Sequence, residues 1–115
     1  MADARTAWHC CLEFYSVSTR LPAGYRLSPR QACRILQEIV ASFQVEQLPG
    51  DACLLFLEAA VSERVAGGRI YDAQIAEIAH LCGAGIVVTE NRRHFSTLMK
   101  HGIRVLLPKE LFNEL

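Results

Sequence analysis

Three short stretches hold the residues able to do chemistry. Asp72 stands in Gly67-Gly68-Arg69-Ile70-Tyr71-Asp72-Ala73, Glu13 in Leu12-Glu13-Phe14-Tyr15, and Thr89, Glu90 and Asn91 directly follow the β-branched run Ile86-Val87-Val88. Asp72 falls in the first turn of a predicted helix, where unpaired N–H groups and the positive end of the helix dipole favour an acid. Spacing alone makes it an ordinary helix-start acid, but the same geometry can hold a carboxylate toward a metal ion or a phosphate. Thr89 to Asn91 sit at the carboxyl end of a predicted strand, where open α/β sheets place their sites. Oxygen ligands of this kind suit Mg²⁺ or Mn²⁺, which bind through one or two carboxylates and keep waters for a substrate phosphate. Such an ion can activate a water and neutralise charge building on a phosphodiester.

Each of these residues also has a purely structural explanation. Glu13 taken alone is a solvated helix residue. Asn91 is equally well the N-cap of a helix running from Arg92 to Lys100. Arg92, Arg93, His94, Lys100, His101 and Arg104 form a locally basic stretch with Glu90 as its only acid. That stretch reads as a solvated face or as a phosphate-backbone contact. Arg69 can meet a phosphate or pair with a carboxylate, and Tyr71 and Phe95 read as packing residues.

The elements that must position these groups follow from apolar spacing and its punctuation. A first helix is predicted from Trp8 to Arg20, with Leu12, Tyr15 or Ser16, and Thr19 on one face. Leu21-Pro22-Ala23-Gly24 stops it. Ser28-Pro29-Arg30-Gln31 is the best-marked helix start, a capping box with proline at the first helical position. Ala32, Ile35, Leu36, Ile39, Val40 and Phe43 then recur at three- and four-residue spacing. Val45 to Leu48 reads as a doubtful strand. Pro49-Gly50-Asp51 turns the chain and caps a helix from Ala52 to about Val65, carrying Leu54, Leu55, Ala59 and Val61.

Gly67-Gly68 separates that helix from the one bearing Tyr71, Ile75, Ile78, Ala79 and Cys82, with Gly83 as its C-terminal glycine. Ile86 to Val88 is a buried strand. Thr89-Glu90-Asn91 opens a further helix with Phe95, Leu98 and Met99, closed by His101-Gly102. Ile103 to Leu107 is a second apolar strand, and Lys109 to Leu115 a loose or helical tail. Helix–strand–helix–strand implies a parallel pair joined by a helical crossover, hence an α/β layered fold. Two clear strands and one doubtful one are few for such a sheet. A chain that opens on a helix is expected to lack a first strand.

Composition narrows the class further. The 115 residues suffice for one domain with a core, and 51% hydrophobic with 21% charged residues suits a globular protein. Lys+Arg and Asp+Glu balance at 12 each, so contact with nucleic acid needs a local basic patch. Five cysteines without a C-x-x-C spacing fit free thiols in a reducing cytoplasm better than a disulfide framework or a zinc site. No apolar run reaches membrane-spanning length.

Leu12-Glu13-Phe14-Tyr15-Ser16-Val17-Ser18-Thr19-Arg20-Leu21-Pro22, then Gly68 to Ala73, then Thr89-Glu90-Asn91-Arg92-Arg93-His94-Phe95 resemble PIN-domain motifs, in the family's order over almost the whole chain. The nearest branch is that of the VapC-like toxins of bacterial toxin–antitoxin pairs. The resemblance implies a Rossmann-like parallel sheet flanked by helices, in a single domain over residues 1–115. It also implies metal-dependent endoribonuclease activity with Mg²⁺ or Mn²⁺, an RNA substrate, a cognate antitoxin and commonly a homodimer.

By resemblance, Glu13 matches the helix glutamate and Asp72 the central metal-binding aspartate. Asn91 takes the place of an aspartate that some branches replace with asparagine, and Thr89 that of a supporting polar residue. Arg69, Arg92 and Arg93 are the expected substrate contacts. The family begins with an apolar strand ending in aspartate, followed by one or two helices. Here that strand and first helix are expected to be missing, and Asp3 is a poor substitute for the acid. With Asn91 neutral, Glu13 and Asp72 are the charged ligands, so weak metal binding and impaired cleavage are expected. The alternative is a non-catalytic remnant that binds an antitoxin or RNA, or a shortened reading frame without a function of its own.

Overall fold

Strong local signals account for most of the helix boundaries in the computed structural model, which describes residues 3–114. These fall into two units that divide after Gln47. In the first, Ser28 accepts the Gln31 N–H at 3.1 Å while the Gln31 side chain accepts the Ser28 N–H at 2.8 Å. This reciprocal cap starts the helix Pro29–Ser42 (α2), with proline at its first position.

The helix before it, Trp8–Ser18 (α1), is entered directly from a three-residue strand, Arg5–Ala7 (β1). That strand pairs in parallel with Gln44–Glu46 (β2), Arg5 opposite Gln44 and Ala7 opposite Glu46. An ion pair of 2.8 Å between Arg5 and Glu46 ties the two strands together. The described chain therefore opens on a strand rather than on the helix expected from sequence. The doubtful strand at Val45–Leu48 forms one residue earlier.

The inward face of α1 also differs from expectation. Cys11 and Ser18 are buried, seven residues apart, whereas Leu12 and Tyr15 are exposed. Ala32 on α2 is fully buried. Cys11 and Ser18 thus form the inward stripe of α1 in place of Leu12 and Tyr15. Ser18 receives the Leu27 N–H on its carbonyl, which closes the connection from α1 toward α2.

The second unit begins with a 3₁₀ turn, Gly50–Ala52, leading into Cys53–Ser62 (α3). The Asp51 side chain does not cap α3, contrary to the sequence reading. Ala60 is the buried residue of α3, while Leu54, Leu55 and Val61 are exposed. The next helix, Arg69–Leu81 (α4), ends where Gly83 takes φ +72° and the Ala84 N–H returns to the Ala79 carbonyl. That six-to-one bond requires a left-handed residue, the reason for glycine there.

Ile86–Val88 (β3) pairs in parallel with Arg104–Leu106 (β4), Val87 opposite Val105. This is the predicted parallel pair, and a helical segment makes the crossover. The crossover is a ten-residue 3₁₀ helix, Arg92–His101, rather than an α-helix. Three residues per turn stack Phe95 directly over Leu98 and turn Met99 outward. Phe95 and Leu98 join Ala79, Ile103 and Val105 in the core of this unit. The chain closes with Pro108–Glu114 (α5), the helical version of the expected tail. Among the described residues no helix is long and apolar enough to cross a membrane.

Candidate functional site

Asp72 reaches its position through the turn before α4. Gly67 takes φ +62°, and the carbonyls of Gly67 and Gly68 accept the Ile70 and Tyr71 N–H groups. Arg69 is thereby the first helical residue, and Asp72 lies in the first turn as the spacing predicts. Tyr71 departs from its packing role, since half of it is exposed.

Thr89 follows β3 and continues the ladder, its N–H donating to the Leu106 carbonyl at 2.9 Å. Its hydroxyl accepts the Asn91 N–H at 3.0 Å. The Asn91 carbonyl in turn accepts the His94 N–H at 2.9 Å. His94 completes the circuit, with Nδ1 2.5 Å from Asp72 Oδ2. A carboxylate only accepts, so Nδ1 carries the proton and donates. One hydrogen-bonded chain thus joins the carboxyl end of the β3–β4 pair to the first turn of α4.

The Asn91 side chain makes no capping hydrogen bond, so the N-cap explanation fails for it. Its backbone supports the turn while its carboxamide is left for other partners. The Thr89 hydroxyl accepts an N–H that precedes the helix, so it closes a turn and leaves the helix uncapped by any side chain.

The basic stretch is less available than its sequence suggests. Arg92 is ion-paired with Glu110, whose carboxylate also accepts the Leu107 N–H at 2.7 Å. Arg104 is held by both oxygens of Glu114, at 3.1 and 2.6 Å, and this hydrogen bonding raises its already high pKa. His101 lies against His80 with ring centroids 4.4 Å apart. Within the second unit the described residues give Arg69 and Arg93 no ion pair. The acids that occupy Arg92 and Arg104 come from α5, beyond the stretch in which Glu90 was the one acid counted.

Glu13 belongs to the first unit. It pairs with His9 at 2.6 Å across one turn of α1, and its side chain is more than half exposed. Asp3, also in the first unit, is exposed and lies 3.4 Å from Arg5.

Chemically, the second unit offers the Asp72 carboxylate and the Thr89 hydroxyl on one hydrogen-bonded chain, with the Asn91 carboxamide outside it. These are hard oxygen donors, and Asp72 keeps Oδ1 beside the oxygen that His94 holds. Mg²⁺ is commonly bound by one or two carboxylates with waters completing its shell, so the donors present fit it. Among the described residues no group of three or more His, Cys, Asp or Glu side chains gathers as a closed ligand cage.

Comparison with known proteins places the chain. It is 32% identical over 111 residues to Ribonuclease VapC27 of Mycobacterium tuberculosis, covering 91% of this chain and 74% of that protein. It is 33% identical over 86 residues to Ribonuclease VapC40 of the same organism, covering 73% of this chain and 62% of that protein. No family model and no solved structure matches. The first of these similarities runs through all three motif stretches and spans most of both proteins, and by it the chain belongs to the VapC-like branch of the PIN-domain family.

Proposed function

We propose that this protein is a metal-dependent endoribonuclease of the VapC type, which hydrolyses RNA phosphodiester bonds and is held in check by a cognate antitoxin in the cytoplasm. The observation that carries the reading is the circuit from Thr89 through Asn91 and His94 to Asp72, at the strand end where an α/β fold puts its chemistry. The names of the VapC relatives support the ribonuclease assignment independently.

In this reading Asp72 would hold a Mg²⁺ or Mn²⁺ through its carboxylate, and the family motif proposes Glu13 as a further acid. Glu13 is assigned on its motif, not on geometry. A bound ion would activate water and offset charge on the phosphodiester. Thr89 fixes the turn, and the Asn91 carboxamide orients the attacking water or the substrate. Arg69 and Arg93 meet backbone phosphates, and Arg92 joins them by exchanging Glu110 for a phosphate oxygen. Both partners bind Arg through charge-assisted hydrogen bonds, so that exchange trades like for like.

The test is cleavage of a structured RNA with Mg²⁺ or Mn²⁺, wild type against Asp72→Ala. Loss of about 100-fold in rate is expected, the equivalent of ~2.7 kcal/mol in the barrier. Equal cleavage by both proteins would overturn the reading. A second reading, a non-catalytic module that binds RNA or an antitoxin, is favoured by the occupation of Asp72 Oδ2 by His94. It requires saturable binding that survives Asp72→Ala and no metal-dependent cleavage by either protein.

A further inference from the structure

We propose that His94 is a positioning residue for Asp72: it fixes the carboxylate through Oδ2 so that Oδ1 is presented to the cation. The proposal rests on Asp72 being a cation ligand, as argued above. Two features separate this contact from a chance surface pair. First, it bridges two elements, the partners being 22 positions apart, whereas His9 and Glu13 lie one turn apart on a single helix where such pairs arise readily. Second, the backbone of His94 is held from both sides. Its N–H is bonded to the Asn91 carbonyl, and the adjacent Phe95 is 97% buried in the core, being 3% exposed. The imidazole therefore starts from a rigid base, and its short side chain has little freedom to give up on reaching Asp72.

An aspartate in the first turn of a helix has two torsions, and free rotation would spread its oxygens over several positions. One N–H donor at 2.5 Å removes most of that freedom. Groups hydrogen-bonded to metal ligands set ligand orientation and basicity, and their loss commonly lowers metal affinity 10- to 100-fold. His94 stands in that relation to Asp72. It does so by donating to one oxygen, while no hydrogen bond reaches the other from the described residues.

The two amide side chains separate position from polarity. Asparagine places its N–H donor near the site of Nδ1, and glutamine places it near Nε2, beyond the reach that serves Asp72. The experiment is calorimetric titration of Mn²⁺ into the intact chain as wild type, His94→Gln, His94→Asn and Asp72→Ala. Thermal unfolding of each protein serves as the check on folding; both His94 variants are polar changes at an exposed residue. His94→Gln is expected to weaken Mn²⁺ binding about 10-fold or more, with His94→Asn within about 3-fold of wild type. Wild-type affinity in His94→Gln would overturn the proposal, as would tighter binding, which would make His94 a competitor of the ion. If Asp72→Ala abolishes binding while His94→Gln does not weaken it, the positioning role alone fails. If Asp72→Ala binds as wild type does, or wild type takes up no Mn²⁺, the reading of Asp72 as a ligand fails with it.

Discussion

Leu98 and Met99 are neighbours in sequence, both apolar, and an α-helical period would put both toward the core with Phe95. The 3₁₀ geometry of Arg92–His101 separates them: Leu98 is 4% exposed and Met99 63%. Replacing Leu98 by alanine removes three carbon groups from a closed site. At ~0.8 kcal/mol for each buried methylene, transfer alone costs about 2.4 kcal/mol. A cavity that relaxes only partly brings the total to ~3–4 kcal/mol, within the range for core leucines. The same truncation at Met99 loses about a third as much burial, so its cost is under ~1 kcal/mol, and alanine's helix propensity offsets part of that. The assay is urea unfolding followed by circular dichroism, with slopes compared so that midpoint shifts convert to free energies. A stability of 5–15 kcal/mol, usual for a domain, makes the Leu98→Ala shift large and the Met99→Ala shift small. Equal shifts in the two variants would refute the 3₁₀ register and restore an α-helical crossover.

Two further expectations concern the backbone and the thiols. Arg64 takes φ +60° just after α3, where the Val65 N–H returns to the Ala60 carbonyl, a left-handed position usually given to glycine. Arg64→Gly is expected to raise the unfolding free energy by about 0.5–1 kcal/mol, the left-handed cost less glycine's larger unfolded entropy. A lowered urea midpoint would show that the arginine side chain contributes more than its backbone costs. Burial pushes the Cys10 thiol above its ordinary 9.0. With the folded value raised, the stability linked to the neutral thiol is complete below pH 9 and is lost as pH rises from there through the folded value. The stability gap between wild type and Cys10→Ala should therefore narrow between pH 8 and pH 10, and a constant gap would refute the shift.

What the sequence made legible was local. The capping box at Ser28 and the glycine after α4 lie within a few residues of the bonds they enable, so composition and spacing reveal them. The β3–β4 pair announced itself through two β-branched runs around a helical segment. β1 did not, because Arg5-Thr6-Ala7 has no strand pattern and becomes a strand by pairing with Gln44–Glu46, some forty residues on. The face of α1 was misread for a related reason. Which stripe turns inward is set by tertiary packing rather than by hydrophobicity along the helix, and it buries Cys11 and Ser18 in preference to the larger Leu12.

The candidate site divides along the same line. Asp72, Thr89 and Asn91 could be named because each sits at the end of an element whose limits are locally encoded. His94 was visible only as one charge among several, since its choice of Asp72 depends on how the crossover packs against α4. The 3₁₀ period contributes to that choice: burying Phe95 fixes which way its neighbour's side chain can leave the segment. The same dependence on packing removed Arg92 and Arg104 from the basic stretch, because Glu110 and Glu114 reach them from α5. A charge count along the chain treats those arginines as free for phosphate, whereas the fold has already supplied them with carboxylates. Phosphate contact through Arg92 is therefore an exchange of anions, so its net strength is the difference between two charge-assisted pairs and not the worth of one. Among the described residues of their unit Arg69 and Arg93 carry no such cost, so under the proposed function they are the stronger candidates for the first contact with an RNA backbone.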